Sequence, residues 1–160
     1  MVTEFQDAGE TDIHDQDISF IQDSFHTYLC QLEDNSQGRG LRPGFVPATT
    51  FWLINECDRV LGESRLRHRL TPSLEDWGGH IGYMVRPTER GKGNGTKLLA
   101  LTLMKAQQIG LQRVLVTCNT DNQASARVIQ KNGGVLASQS HSLQTVQPKS
   151  RYWIDLKTTS

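Results

Sequence analysis

The feature that most constrains this chain is the stretch "IGYMVRPTERGKGNGTKLLALTLMKA", Ile81 to Ala106, in which an apolar run meets three alternating glycines and then a leucine-rich segment. Periodicity reads it as a strand, a tight turn and a helix. Pro87 ends the strand, because proline donates nothing to a ladder. Residues 95 to 109 carry Leu98, Leu99, Leu101, Leu103, Met104, Ala106 and Ile109 on most sides, which predicts a helix buried between layers and stopped by Gly110. At such a junction the first backbone NH groups of the helix lack intrahelical partners and sit at the positive end of its dipole. Gly91, Gly93 and Gly95 remove side chains that would hold an anion away, while Arg90 and Lys92 add charge. The pattern predicts a diphosphate site. It is not a P-loop, since Thr96 stands where the second glycine belongs, nor the dinucleotide fingerprint, whose third glycine would come one residue later. The plain alternative is a flexible turn without a ligand, against which the flanking cations and the helix that follows both argue.

The remaining elements follow from the same rules. Residues 16 to 32 place Ile18, Ile21, Phe25, Leu29 and Leu32 at helical spacing, and "NSQGRGLRPGFVP" reads as a loop. "TTFWLIN" and "VLGESRLRHRL" are β-branched, aromatic or alternating, and "ECDR" between them makes a hairpin. "TPSLEDWGG" reads as a second loop before the strand "HIGYMV". "RVLVTC" is a buried strand, "NTDN" caps a helix from about Gln123 to Asn132, and "VLAS" and "RYWIDL" are two further strands. The order α, β, β, β, α, β, α, β, β predicts an α/β (α+β) fold, a mixed sheet with helices on its faces.

A chain of 160 residues suits one domain spanning residues 1–160 and buries roughly 70% of its unfolded surface. Cys30, Cys57 and Cys118 are odd in number and lack CxxC spacing, so neither a disulfide framework nor a metal site is indicated. The start shows no leader pattern and no apolar run is long enough to span a bilayer, giving the expectation of a cytoplasmic protein without a membrane partner. Seventeen basic residues balance seventeen acidic ones, but nine acids precede the first base, Arg39. The remainder holds seventeen bases against eight acids. Solvated faces chosen for solubility account for part of this asymmetry; an acidic surface for a cation and a basic one for a polyanion are the functional reading.

The spacing Arg/Gln-x-x-Gly-x-Gly/Ala is matched by Arg90, Gly93 and Gly95. Here the chain resembles the Gcn5-related N-acetyltransferases, the GNAT superfamily, over about residues 45 to 156. One subgroup of predicted acetyltransferases is especially close through "VPATTFWLI", "RHRLTP", "GGHIGYMVRPTERGKG", "VTCNTDNQASARVIQKNGGVL" and "RYWI". The resemblance implies acetyl-CoA as cosubstrate, admitted as if it were another strand where the fourth and fifth family strands splay. It implies backbone groups of Tyr83, Met84 and Val85 for the pantetheine, the loop Arg90, Gly91, Lys92, Gly93, Asn94, Gly95 and Thr96 for the pyrophosphate, and Asn122 near the thiol; the local reading of Asn122 is a helix cap. It also implies that the first family strand is missing here, which would leave "TTFWLIN" as an exposed edge and favour a homodimer.

Transfer of acetyl requires a neutral amine and a proton for the departing thiolate. Where ribosomal-protein alanine acetyltransferases carry a glutamate and a tyrosine, this chain has Thr117 and Ile129. His80 is therefore the first expected base, with His68 second, although bases in better-known relatives match Gly79 and Ile81 and one residue of offset turns a strand side chain to the other face. Cys118, in an apolar strand, reads as packing. The leading function is transfer of acetyl to a primary amine of a small, cationic acceptor. An acyl-CoA-binding regulatory module without turnover and a peptide or protein N-acetyltransferase stay open. A nucleic-acid partner is disfavoured, because Arg65, Arg67 and Arg69 form a basic strand face without interleaved aromatics.

Overall fold

The computed structural model describes residues 2–10, 24–140 and 147–156. Helix α1 (Val2–Asp7) and helix α2 (Phe25–Ser36) precede strands β1 (Ala48–Ile54) and β2 (Val60–Arg67). A short helix α3 (Pro72–Trp77) leads into β3 (Ile81–Val85), then a 3-10 turn at Pro87–Glu89 and the long helix α4 (Asn94–Gln108). Strand β4 (Arg113–Asn119), helix α5 (Gln123–Lys131), β5 (Val135–Ser140) and β6 (Lys149–Asp155) complete it. No helix of the described residues is long and apolar enough to cross a membrane.

The sheet runs β1-β2-β3-β4-β6-β5. All neighbours are antiparallel except β3 and β4, which α4 connects as a parallel crossover. That parallel pair touches at a single register position, Ile81 opposite Val116, whereas β4 and β6 pair over seven positions. A seam therefore opens beside Tyr83, Met84 and Val85. The β1–β2 hairpin turns on Asn55, whose Oδ1 accepts from the backbone NH of Cys57 and Arg59 at 3.1 and 2.9 Å, with Asp58 left-handed at φ 57°.

Several expectations change. Residues 16–23 of the first expected helix lie outside the described residues, and α2 itself extends to Ser36. "TPSLEDWGG" contains α3, whose first turn is capped by Thr71 Oγ1 accepting from Leu74 N at 3.3 Å. Helix α4 is not buried all round. Leu98, Leu99, Thr102 and Ala106 are buried against the sheet, but Leu101, Met104 and Ile109 stand exposed on its other side. Its buried face meets β2 through a hydroxyl pair, Thr102 Oγ1 with Ser64 Oγ at 2.7 Å, and continues into a core of Leu66, Ile81, Val114, Val116, Ile129 and Ile154. Fully burying each such aliphatic side chain stabilises the fold by about 1.5–3 kcal/mol. On the opposite face of the sheet, Phe25 and Tyr28 of α2 stack near Trp52 at 6.2 and 6.5 Å, so helices cover both faces.

Candidate functional site

Helix α4 begins on Gly93, which takes φ 82° and supplies no side-chain cap. A left-handed start is easy only for glycine. It leaves the first-turn amides without side-chain acceptors, the property that favours an anion there. Gly95 brings the loop against the neighbouring elements: a Cβ there would lie 3.3 Å from Val128 Cγ2 and 3.5 Å from Val85 Cγ2.

A cleft of about 740 Å³ runs from the β3 seam to this loop. It brings together Tyr83, Met84 and Val85 with Arg90, Gly91, Gly93, Gly95, Thr96 and Asn122. Lys92 and Asn94 do not line it. Lys92 Nζ is ion-paired with Glu89 at 3.1 Å, and Asn94 Nδ2 donates to the Glu89 carbonyl at 3.1 Å, so both brace the turn from outside. Asn122 caps α5, its Oδ1 accepting from Ser125 N at 2.9 Å. Tyr83 donates or accepts across the cleft with Ser125 Oγ at 2.9 Å, and burial first pushes its hydroxyl up to about 12. At neutral pH that phenol stays protonated.

Besides Ser125 and its neighbours on α5, sequence reasoning missed the charged and aromatic contributors Phe5, Glu10, Arg127 and Lys131. Arg127 and Lys131 line the cleft four residues apart on α5, a spacing that was available as a signal for one charged helix face. Phe5 and Glu10 come from the N-terminal segment, eighty residues away, with no local signal. Phe5 is 2% exposed, and Arg90 lies over its ring with 5.4 Å to the centroid. The Arg90 guanidinium forks onto Glu10, Nη1 to Oε1 at 2.5 Å and Nη2 to Oε2 at 2.9 Å, while Nε donates to the Val85 carbonyl at 3.0 Å. The hydrogen bond from Arg90 holds the Glu10 carboxyl below its usual range. Thus the most conspicuous loop cation is already neutralised. Glu4 anchors the same segment through Arg86 at 2.8 Å and Thr88 Oγ1 at 2.8 Å.

His80 lies apart from the cleft lining and is 7% exposed. Its Nδ1 accepts from Leu115 N at 2.9 Å, its backbone NH donates to Leu115 O at 2.7 Å, and its carbonyl accepts from Arg67 N at 2.7 Å. Burial first, and the Arg67 guanidinium second, bring its pKa down to about 4. A proton on Nδ1 would face the Leu115 NH, so His80 gains one only by breaking that bond. His68 Nε2 is 2.8 Å from Thr49 Oγ1. Thr117 Oγ1 donates to the Trp77 carbonyl at 3.0 Å and Ile129 is fully buried. Burial pushes the Cys118 thiol up.

A mixed sheet splayed at one parallel pair, beside an uncapped helix start on a glycine loop, defines the architecture of the GNAT class. The sequence profile described as "Acetyltransferase (GNAT) domain" matches residues 13–135, and the chain belongs to that family. An N-acetyltransferase from Staphylococcus aureus superposes with a TM-score of 0.59 at 19% identity, covering 81% of this chain and 75% of that one. The yncA protein of Salmonella typhimurium, solved with its cofactor acetyl-CoA, gives 0.50 at 19%, covering 61% and 59%. Mutant forms of the spermidine/spermine N-acetyltransferase SpeG from Vibrio cholerae give 0.55 at 14%, covering 68% and 67%. At these identities the likeness is one of fold, and this chain spans about three fifths of yncA. A search of curated proteins finds no significant match.

Proposed function

We propose that this protein is an acetyl-CoA-dependent N-acetyltransferase that moves acetyl to a primary amine within a ternary complex. The observation that carries the reading is the continuous cleft joining the free β3 edge to the uncapped start of α4. Backbone groups of Tyr83, Met84 and Val85 offer a strand-like edge to pantetheine, and amides of the Gly91–Thr96 turn take the diphosphate. Arg127 and Lys131 add charge at the wall of the same cleft. The amine nitrogen forms a bond to the thioester carbonyl as the C–S bond breaks, and the amine sheds one proton while the thiolate gains one. Of the paired Tyr83 and Ser125 hydroxyls, the one that accepts from the other keeps its hydrogen to donate to the departing sulfur; full proton transfer from a phenol near 12 to a thiolate, whose thiol has a pKa of about 8.5, would be uphill. Because the lone pair of His80 Nδ1 is committed to Leu115, the amine proton passes to water rather than to His80.

The second reading, an acyl-CoA-binding module without efficient turnover, draws on the same commitment of His80 and on Glu10 already occupying Arg90. Calorimetry with acetyl-CoA and thiol release across an amine library separate the two: steady release supports transfer, binding alone supports the module, and neither overturns both. The acidic N-terminal segment supports an acceptor whose amine arrives as a cation. The outer edge of β1, which has no partner strand among the described residues, supports homodimer formation, read by light scattering as twice the 18.0 kDa chain mass.

A further inference from the structure

A second, smaller cavity of about 230 Å³ lies at the other end of β2, between the segment before β1 and helix α3. Its polar lining is Arg65, Arg67, Thr71 and Ser73, and its floor is Val46 and Ala48. Arg65 and Arg67 are two apart on one strand and share a face. Arg67 Nη1 donates to the Gly78 and Gly79 carbonyls at 3.1 and 3.0 Å, which fixes the guanidinium plane. Thr71 Oγ1 accepts from Leu74 N and so keeps its own hydrogen to donate.

The two guanidinium groups share the hollow without an acid beside them, and in lacking an ion pair among the described residues they resemble Arg42, Arg69, Arg113 and Arg127. Arg39, Arg59, Arg86, Arg90 and Arg151 each meet a carboxylate. Among the described residues no carboxylate pairs with Arg65 or Arg67. Burial and the neighbouring Arg65 both hold the Arg67 pKa below its usual value. Two like charges in a part-buried hollow, with hydroxyls around them, lack only the counter-charge.

The hollow and the large cleft share no lining residue, but both reach the same face of the β2–β3 pair. Arg65 stands opposite Gly82 in the β2–β3 ladder, and nothing lies within 4 Å of where a Gly82 Cβ would be. Met84, two residues further along the same face, lines the large cleft. Glu63, the carboxylate opposite Met84, accepts from Trp52 Nε1 at 2.7 Å.

We propose that the Arg65–Arg67 hollow is an acceptor-side subsite for an oxyanion, so that the amine acetylated here carries a carboxylate or a phosphate on the same molecule. The inference rests on the acetyl-transfer reading and refines its acceptor from a simple cation to a zwitterion. The oxyanion is a handle and does not change in the reaction.

The test measures kcat/KM with acetyl-CoA for ω-amino carboxylates of two to six carbons and for phosphoethanolamine, against n-alkylamines and diamines of matching length. The oxyanion-bearing amines should lead by at least about ten-fold, and whichever of the carboxylate and phosphate series leads identifies the handle. Arg65→Gln should narrow that lead about ten-fold through KM, with Arg65→Lys restoring part of it. Preference for diamines or alkylamines, or an equal loss across all acceptors in Arg65→Gln, overturns the proposal. If no amine is turned over, the transfer reading fails by itself. The subsite is then judged by thermal shift with inorganic phosphate and with acetate at constant ionic strength. Stabilisation of wild type beyond Arg65→Gln supports it, and equal shifts overturn it.

Discussion

The glycine-loop cleft and the neighbourhood of His80 lie at opposite ends of β3, and they are built from different materials. The cleft is made mainly of backbone: a free strand edge, a left-handed glycine and uncapped amides. The His80 neighbourhood is made of side chains locked to a neighbouring strand, with Nδ1 held by Leu115 and Arg67 holding the carbonyls of Gly78 and Gly79. Backbone sites are written in local spacing, whereas the role of a side chain is decided by what packs beside it. The first kind can be open to a ligand before any partner arrives; the second is already satisfied.

Acid should expose this difference most strongly. His80 has a folded pKa of about 4, below the ordinary 6.5, so the unfolded chain takes up its proton first. Its contribution is present above pH 6.5 and is lost as pH falls towards 4, by about 3 kcal/mol over that window. Urea unfolding at several pH values should show the decline in wild type. In His80→Gln this part of the slope should vanish, and thiol release at pH 8 should fall by less than about three-fold, where a general base would lose about 10². A hundred-fold loss of turnover in a folded variant would return His80 to catalysis.

The next effect falls on the cleft. Gly93→Asp puts a side chain and a negative charge at the helix start, and acetyl-CoA should bind at least ten-fold more weakly by calorimetry, about 1.4 kcal/mol. Unchanged affinity would break the contrast, because the loop would then not be the anion site.

The smallest effect concerns Glu10, which neutralises Arg90 from a distant segment. This pair is partly exposed, so releasing it is worth little. Glu10→Gln should tighten acetyl-CoA binding about two- to five-fold, more at low salt than at high salt. Weaker binding would mean that Glu10 positions Arg90 for the ligand instead of competing with it.

Much of the architecture was legible because it rests on short-range pattern. The succession of strands and long helices along the chain, the hairpin at "ECDR", the glycine start of α4 and the Asn122 cap all follow from spacing and turn chemistry, whereas the order of strands within the sheet does not. The all-round burial expected of α4 did not, since Leu101, Met104 and Ile109 fit an apolar helix pattern equally well on an exposed side. Helix α3 escaped notice because six residues are too few for periodicity to show. Phe5 and Glu10 reach the cleft through tertiary docking alone. The arginines of β2 were visible as a basic strand face, but only the fold turns Arg67 inward onto two carbonyls and encloses it with Arg65.

The short join between β3 and β4 has a mechanical side. The sheet is two panels, β1-β2-β3 and β4-β6-β5, joined at one end by the Ile81–Val116 register pair and the His80–Leu115 bonds, and by the helix that crosses between them. A molecule laid along the gap supplies the missing mortar. At a hundred times its dissociation constant, such a ligand adds about 2.7 kcal/mol to the resistance against unfolding. Amide exchange at Tyr83, Met84 and Val85 should slow accordingly, and the persistence of the folded chain should then follow the supply of that ligand.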